Sequence, residues 1–268
     1  MPELPEVETT VRQLRQYYLH KRIVKVEAKP VKIFRQISPE EFARWLENRK
    51  ILAIERYGKF FYWDAEGIFP VFHLGMSGIF IRQKTQSKYP QHLHVAFYFE
   101  DGSELYFQDA RKFGKIYLLH RKPQFEELGP DPLKENFTLN RFRQLLNSKS
   151  INIKTFLMDQ KVIAGIGNIY ASEILFQAGI HPLRKARSLS AAETKKLHRS
   201  ILAILNAAVE RFGTTYSAYR TVEGTSGTNQ DFLKVYHRDG APCFTCGKPI
   251  RKTMINNRST FYCGYCQR

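Results

Sequence analysis

The chain has 268 residues, long enough for two domains or one large one with a proper core. Lys and Arg number 42 against 25 Asp and Glu, a net charge of +17 with a pI near 9.7, which favours a polyanionic partner, nucleic acid first, although a ribosomal or membrane-surface protein shares this balance. No apolar run approaches the ~20 residues that span a bilayer and the N-terminus lacks the basic-then-apolar layout of a secretion signal, so no membrane-spanning helix is expected and the cytoplasm is the expected compartment.

The chain opens Met1-Pro2-Glu3-Leu4-Pro5-Glu6. Removal of Met1 before a small residue would free Pro2, the only secondary amine that an encoded chain can display. Condensed with a sugar aldehyde carbon it gives an iminium that is cationic without extra protonation, which makes Pro2 a covalent nucleophile in waiting. Glu3 beside it could move the protons. The plainer reading is that Pro5 fills a first-turn position and that Glu3, Glu6 and Glu8 complement a helix dipole. From Leu4 the apolar positions Leu4, Val7, Val11, Leu14 and Tyr18 recur at steps of three and four and predict an amphipathic helix.

Segments rich in β-branched and aromatic residues follow: Ile23–Val31, Ile51–Asp64, Ile68–Leu74, Ile79–Arg82, Leu93–Glu100, Glu104–Gln108 and Lys115–Leu119, parted by turns such as Glu66-Gly67 and Asp101-Gly102. Alternation over Leu93–Phe99 predicts a half-buried antiparallel strand with Leu93, Val95, Phe97 and Phe99 on one face. The region reads as a β-sandwich. Leu128-Gly-Pro-Asp-Pro-Leu133 is dense in turn formers and ends it.

Beyond that point the period is helical. Ser190 and Glu193 make a capping box for a helix through Leu197, Ile201, Leu205 and Val209, with Gly213 as its stop. Gly213–Gln230 is rich in small residues and reads as a mobile loop. Within Ile153–Phe176 a short helix ends near Asp159, a turn holds Gly165-Ile-Gly167-Asn168, and a second helix runs from Ile169 to Ala178 before Gly179. Such glycines let a backbone approach a phosphate at a helix N-terminus, with Lys154 and Asn168 as added donors; an ordinary helical hairpin has the same spacing. Cys243-x2-Cys246-x16-Cys263-x2-Cys266 has the spacing of a closed, structural four-thiolate zinc site, and in a reducing compartment two disulfides are the lesser alternative. Between the pairs, Pro249–Ile255 and Ser259–Tyr262 predict hairpin strands turning at Asn256-Asn257. Arg258 stands beside that tip, facing either a phosphate or plain solvent.

The run Pro2–Thr9, the glycine turn in Leu157–Glu173 and the four-cysteine hairpin, in this order, resemble the bacterial formamidopyrimidine-DNA glycosylases nearly from end to end. The resemblance implies an α+β fold in three parts: an N-terminal catalytic β-sandwich with a leading helix over 1–130, a helix-two-turn-helix DNA-binding domain over 131–232 and a zinc β-hairpin over 233–268. It implies a monomeric DNA repair enzyme, both glycosylase and abasic-site lyase, acting on double-stranded DNA with an oxidised base or an abasic site. Pro2, Glu3, Lys59 in Tyr57-Gly-Lys-Phe60 and Arg258 are then catalytic. Met76 in His73-Leu-Gly-Met-Ser-Gly78, with Arg111 and Phe113 in Asp109-Ala-Arg-Lys-Phe-Gly114, is the trio that fills the hole left by an extruded base; by burial patterning alone Met76 and Phe113 would be core residues. Glu6, His92, Lys154 and Asn168 join them as DNA-site residues, and one structural Zn2+ is held by Cys243, Cys246, Cys263 and Cys266.

Two features depart from the family pattern. Ser150 stands where a phosphate-contacting lysine is expected, with Lys149 beside it, and the loop Thr221–Phe232 is about three residues short and lacks a Gly-Lys-x-Gly core. That loop closes over flipped 8-oxoguanine in the family. A sister enzyme for oxidised pyrimidines or hydantoins is one alternative, against which stand the Met/Arg/Phe trio and the absence of a Pro-Glu-Gly-Pro start. A non-catalytic zinc protein that binds damaged nucleic acid is the other.

Overall fold

The apolar ladder from Leu4 to Tyr18 winds as predicted into helix α1 (Leu4–Tyr18), with all five of its members buried. The computed structural model describes every residue from Met1 to Arg268. Strand β1 (Ile23–Ala28) and helix α2 (Pro39–Leu46) come next, then β2 (Ile51–Tyr57), β3 (Phe60–Ala65), β4 (Phe69–His73), β5 (Gly78–Ile81), β6 (Leu93–Phe99), β7 (Glu104–Asp109) and β8 (Lys115–Leu119). They form two antiparallel sheets, ordered β1-β6-β7-β5 and β2-β3-β4-β8. One core joins Phe80, Phe97 and Phe107 of the first sheet, Phe61, Trp63 and Phe72 of the second, and Val7, Val11 and Leu14 of α1. This is the expected sandwich with a leading helix.

Three local expectations change. Ile51–Asp64 is two strands, not one: Gly58 takes φ +57° and Tyr57 pairs with Phe60, so the chain doubles back at Gly58-Lys59. Over Leu93–Phe99 both faces are covered. A register shift between Leu93 and Val95 turns Leu93 toward Ala96, Ile79, Ile81 and Tyr106 on the outer face, and His94 is buried as well. Helix α2 interrupts what the sequence pattern presents as strand after strand. It starts at a capping box in which Ser38 Oγ accepts the Glu41 N–H at 3.1 Å and Glu41 accepts the Ser38 N–H at 3.2 Å.

The chain divides into two compact units, residues 1–125 with 211–230 and residues 126–210 with 231–268. The segment 211–230 thus clusters with the sandwich rather than with the helical region. Gly213–Gln230, expected as a mobile loop, is tied down there. The Thr214 N–H donates to Glu6 Oε1 at 2.8 Å, the Val222 N–H donates to Gln13 Oε1 at 2.8 Å, and the Val222 side chain enters the sandwich core. An apolar residue amid polar neighbours supplies the anchor.

The second unit holds α3 (Leu139–Asn147), α4 (Ile153–Met158), α5 (Asn168–Ala178), α6 (Ala191–Glu210) and the hairpin β9 (Arg251–Ile255) and β10 (Arg258–Tyr262). Helix α6 carries the predicted cap, with the Ser190 N–H donating to Glu193 at 2.8 Å. Gly179 ends α5 at φ +72°, and Asn256 and Asn257 turn the hairpin at φ +47° and +56°. Two successive left-handed residues are what a tight two-residue hairpin turn requires.

Candidate functional site

Helix α1 begins in an acidic pocket of its own making. Glu6 is buried, and its Oε2 accepts the Glu3 N–H at 2.7 Å while its Oε1 receives the Thr214 N–H. Gly213 permits this approach, since a Cβ there would lie 2.9 Å from Glu6 Cγ. Pro2 and Glu3 are buried beside it. Met1 carries the amino terminus in this structure; desolvation holds its ammonium below the ordinary 8.0, Glu3 and Glu6 pull it back up, and Lys59 and Arg111 push it further down. The four charged side chains that govern this amine are all predicted site residues.

Lys59 reaches the terminus because a buried ion pair locks its hairpin to α1. Arg56 Nε donates to Glu8 Oε2 at 2.7 Å, and Arg56 Nη1 donates to the Gly58 carbonyl at 3.1 Å. Burial would raise the Glu8 carboxyl, yet the Arg56 guanidinium outweighs it and leaves the group below 4.5. The arginine side chain is 2% exposed, and its removal leaves Glu8, 15% exposed, with only Arg12 Nε at 3.2 Å as an ion-pair partner. Arg56→Ala should lower stability by roughly 2 kcal/mol in calorimetry, and the double replacement Glu8→Leu/Arg56→Met should recover most of it. A double variant as unstable as the single one would mean that pairing is not what the site provides. Because Glu8 is depressed, its contribution is complete above pH 4.5 and fades as the pH falls below that value.

His73 also belongs to this neighbourhood, a residue that sequence reasoning places within a motif but gives no part. Burial, then Lys59 and Lys115, lower it to about 4, so it is neutral near pH 7. Its Nδ1 accepts the Gly75 N–H at 3.1 Å and its ring rests on Phe60. The one signal for it in the sequence is its place at the head of His73–Gly78.

Met76, Arg111 and Phe113 are not core residues. Met76 is 37% and Phe113 50% exposed, and the Arg111 guanidinium lies 4.8 Å from the Phe113 ring centre. His92 ends a short turn, Pro90–His92, near Tyr89. A cavity of about 210 Å³ opens in the same unit, lined by Ser77, Gln86, Tyr89 and Gln108 and by Ser217 and Arg220 of the loop. The loop tip is held by Gln86 Nε2, which donates to the Glu223 carbonyl at 2.5 Å, and by Tyr17, whose hydroxyl donates to the Glu223 carboxylate.

In the second unit the glycine turn is stapled by Gln160. Its Oε1 accepts the Gly165 N–H at 2.9 Å, and its Nε2 donates to the Ile166 carbonyl at 2.8 Å. Gly167 then caps α5. Lys154 and Asn168, expected as phosphate donors, point elsewhere. Lys154 is 1% exposed and donates to the Ser259 carbonyl at 3.0 Å and to Thr260 Oγ1 at 2.6 Å, because a buried ammonium needs such partners. Asn168 Nδ2 donates to the same Ser259 carbonyl at 2.9 Å. Asn256 Nδ2 adds a bond to Thr155 Oγ1, also 2.9 Å long. All three hold the hairpin tip, leaving Arg258 exposed beside it. Lys149 and Ser150 are exposed just after α3.

Glu173 enters the sequence reading only as the end of a motif. Its carboxylate is buried and accepts the N–H groups of Lys234, Val235 and Tyr236 at 2.8–2.9 Å, fixing the chain that leads into the hairpin. The four cysteine sulfurs lie within 4.8 Å of one another, with Cys243–Cys266 at 3.9 Å and Cys246–Cys263 at 3.5 Å. Sulfurs about 3.8 Å apart are what four ~2.3 Å bonds to one tetrahedral cation require, so the cluster can hold a metal.

The N-terminal domain model of formamidopyrimidine-DNA glycosylase matches residues 1–116, and the H2TH domain model of the same enzyme matches residues 128–220. The formamidopyrimidine-DNA glycosylase of Symbiobacterium thermophilum is 43% identical over all of this chain and 89% of its own length, and that of an Exiguobacterium species is 40% identical over the whole of both. Among solved structures, the MutM (Fpg) protein of Thermus thermophilus superposes with a TM-score of 0.88 at 38% identity, covering 99% of this chain and 98% of its own. The Lactococcus lactis Fpg in complex with DNA containing an N7-benzyl-Fapy-dG superposes with a TM-score of 0.91 at 32% identity over the whole of both chains. With two family models that together span most of the chain, relatives near 40% identity over its full length and the same fold throughout, this chain belongs to the formamidopyrimidine-DNA glycosylase family.

Proposed function

We propose that the protein is a DNA repair enzyme that excises oxidised purines, 8-oxoguanine and formamidopyrimidines, from double-stranded DNA and then cleaves the abasic strand. The observation that carries this reading is a buried Pro2 beside the buried carboxylates of Glu3 and Glu6, at a terminus whose Met1 amine lies within electrostatic reach of Lys59 and Arg111, in a chain of this family. Once Met1 is removed, the Pro2 nitrogen attacks C1′ and the C1′–N bond to the base breaks, its electron pair leaving with the base, which takes up a proton. The nitrogen, now cationic, passes its own proton to the Glu3 carboxylate; the lone pair so restored expels O4′, to which Glu3 returns that proton, and an iminium forms. Loss of the C2′ proton releases the 3′ phosphate, assisted by Lys59, and a second elimination releases the 5′ phosphate, assisted by Arg258.

Met76, Arg111 and Phe113 fill the vacated stack, and the cavity under the 217–224 loop takes the flipped base. Glu6 keeps the start of α1 and the loop in register. Lys154 and Asn168 serve DNA binding through the hairpin tip that they hold, and His92 through its exposed turn. One Zn2+ on Cys243, Cys246, Cys263 and Cys266 is structural, because four thiolates leave no open position. The basic charge gives salt-sensitive affinity for the backbone. No helix is long and apolar enough to cross a membrane, and the enzyme works as a monomer in the cytoplasm, on the nucleoid.

Single-turnover excision from matched duplexes carrying 8-oxoguanine, a formamidopyrimidine or an oxidised pyrimidine tests the reading. Faster release of the purine lesions is expected. Faster release of the pyrimidine would move the protein to the sister specificity, which the short 221–232 loop favours.

A further inference from the structure

We propose that Asp109 is a positioning residue that, through Ser77, sets the wedge of Met76, Arg111 and Phe113. The inference rests on the reading of those three side chains as a wedge.

Asp109 is fully buried at the end of β7, paired with Gly78 at the start of β5. Its Oδ1 accepts the Ser77 hydroxyl at 2.5 Å and the Arg111 N–H at 3.3 Å, and its Oδ2 accepts the Gly114 N–H at 2.7 Å. Ser77 Oγ in turn accepts the Arg111 N–H at 3.1 Å. The Asp109 backbone carbonyl takes the Lys112 N–H at 3.3 Å and His94 Nε2 at 2.9 Å, which places the imidazole proton on that nitrogen. One carboxylate thus ties the loop that carries Met76 to the loop that carries Arg111 and Phe113.

The two loops touch through their backbones. A Cβ on Gly75 would lie 2.4 Å from the Phe113 carbonyl carbon, and Lys112 is held at φ +55°, a conformation that persists only where the surroundings impose it. The exposed Phe113 ring has the Arg111 guanidinium 4.8 Å from its centre, and both sit on the same short loop, so the direction of the wedge depends on the backbone beneath it. The hydrogen-bonded knot fixes that backbone, and a wedge entering a base stack must already point the right way. Every partner of the Asp109 carboxylate is a donor. An amide of the same shape must aim its NH2 either at the Gly114 N–H or at the Arg111 N–H beside Ser77, and in the second case the Ser77 hydroxyl must turn round to accept.

The variants Asp109→Asn and Ser77→Ala are compared with wild type and with Met76→Ala in borohydride trapping on two substrates that offer the Ser77-lined cavity no base: an abasic duplex, and a single-stranded abasic oligonucleotide, which offers no stack to fill. Asp109→Asn should slow duplex trapping at least tenfold, Ser77→Ala less, and both should trap the single strand within twofold of wild type. Equal losses on both substrates would mean damage to the fold and would overturn the positioning assignment; Ser77→Ala carries the test if Asp109→Asn does not fold. If Met76→Ala traps the duplex at the wild-type rate, the wedge reading falls. If Met76→Ala is slow while the two knot variants are not, the wedge stands and the knot proposal falls.

Discussion

A chain whose Pro2 nitrogen stays in a peptide bond, through a retained Met1 or an uncleaved N-terminal tag, should bind abasic DNA and give no borohydride-trapped adduct. Excision should fall by at least roughly 10³-fold, the scale on which removal of a covalent nucleophile is felt. The argument is chemical: an acylated nitrogen has no lone pair to offer C1′. Pro2→Gly should lose less, because a primary amine remains at the same place. Only the neutral amine is a nucleophile, and an α-amino group titrates at roughly 8. The single-turnover rate should accordingly fall as the pH drops and the Pro2 nitrogen takes up a proton. A rate that is flat from pH 8 to pH 5 would speak against an amine nucleophile.

Cys263→Ser should be the second large effect. Cys263 is fully buried and packs with Val235, Cys243, Ile250 and Phe261, so one substitution removes one of the four thiols that can hold a metal and part of the small core under the hairpin. Structural zinc contributes about 10–16 kcal/mol to comparable peptide folds, far more than this hairpin can replace. The purified variant should carry no zinc and should excise at least roughly 100-fold more slowly, because the β9–β10 strand pair that presents Arg258 loses its support. Its sandwich should keep its far-UV signature. Full activity in a metal-free variant would contradict a structural part for the four cysteines.

What is legible in the sequence follows from how local the information is. Helix α1, the box at Ser190 and the cysteine hairpin each repeat a short-range rule, and the structure reproduces all three. The chemistry proposed for Pro2 rests on residue type, a secondary amine, and on no tertiary contact. Helix α2 carries an equally local signal in Ser38–Glu41, masked by the strand patterns on either side. The anchoring of the 213–230 loop is hidden because its composition is polar, and only tertiary packing reveals that Val222 belongs to the core. The motif singles out Lys154 and Asn168 but does not give their direction, which depends on a carbonyl about a hundred positions away. The knot between Ser77 and Asp109 spans 32 positions and two turns, and no window of sequence contains it.

The most direct measurement is peptide mapping, by mass spectrometry, of the adduct that borohydride traps between the mature protein and an abasic duplex. The account predicts the sugar on the N-terminal peptide, at the nitrogen of Pro2. An adduct on Lys59, or on any other lysine, would contradict it.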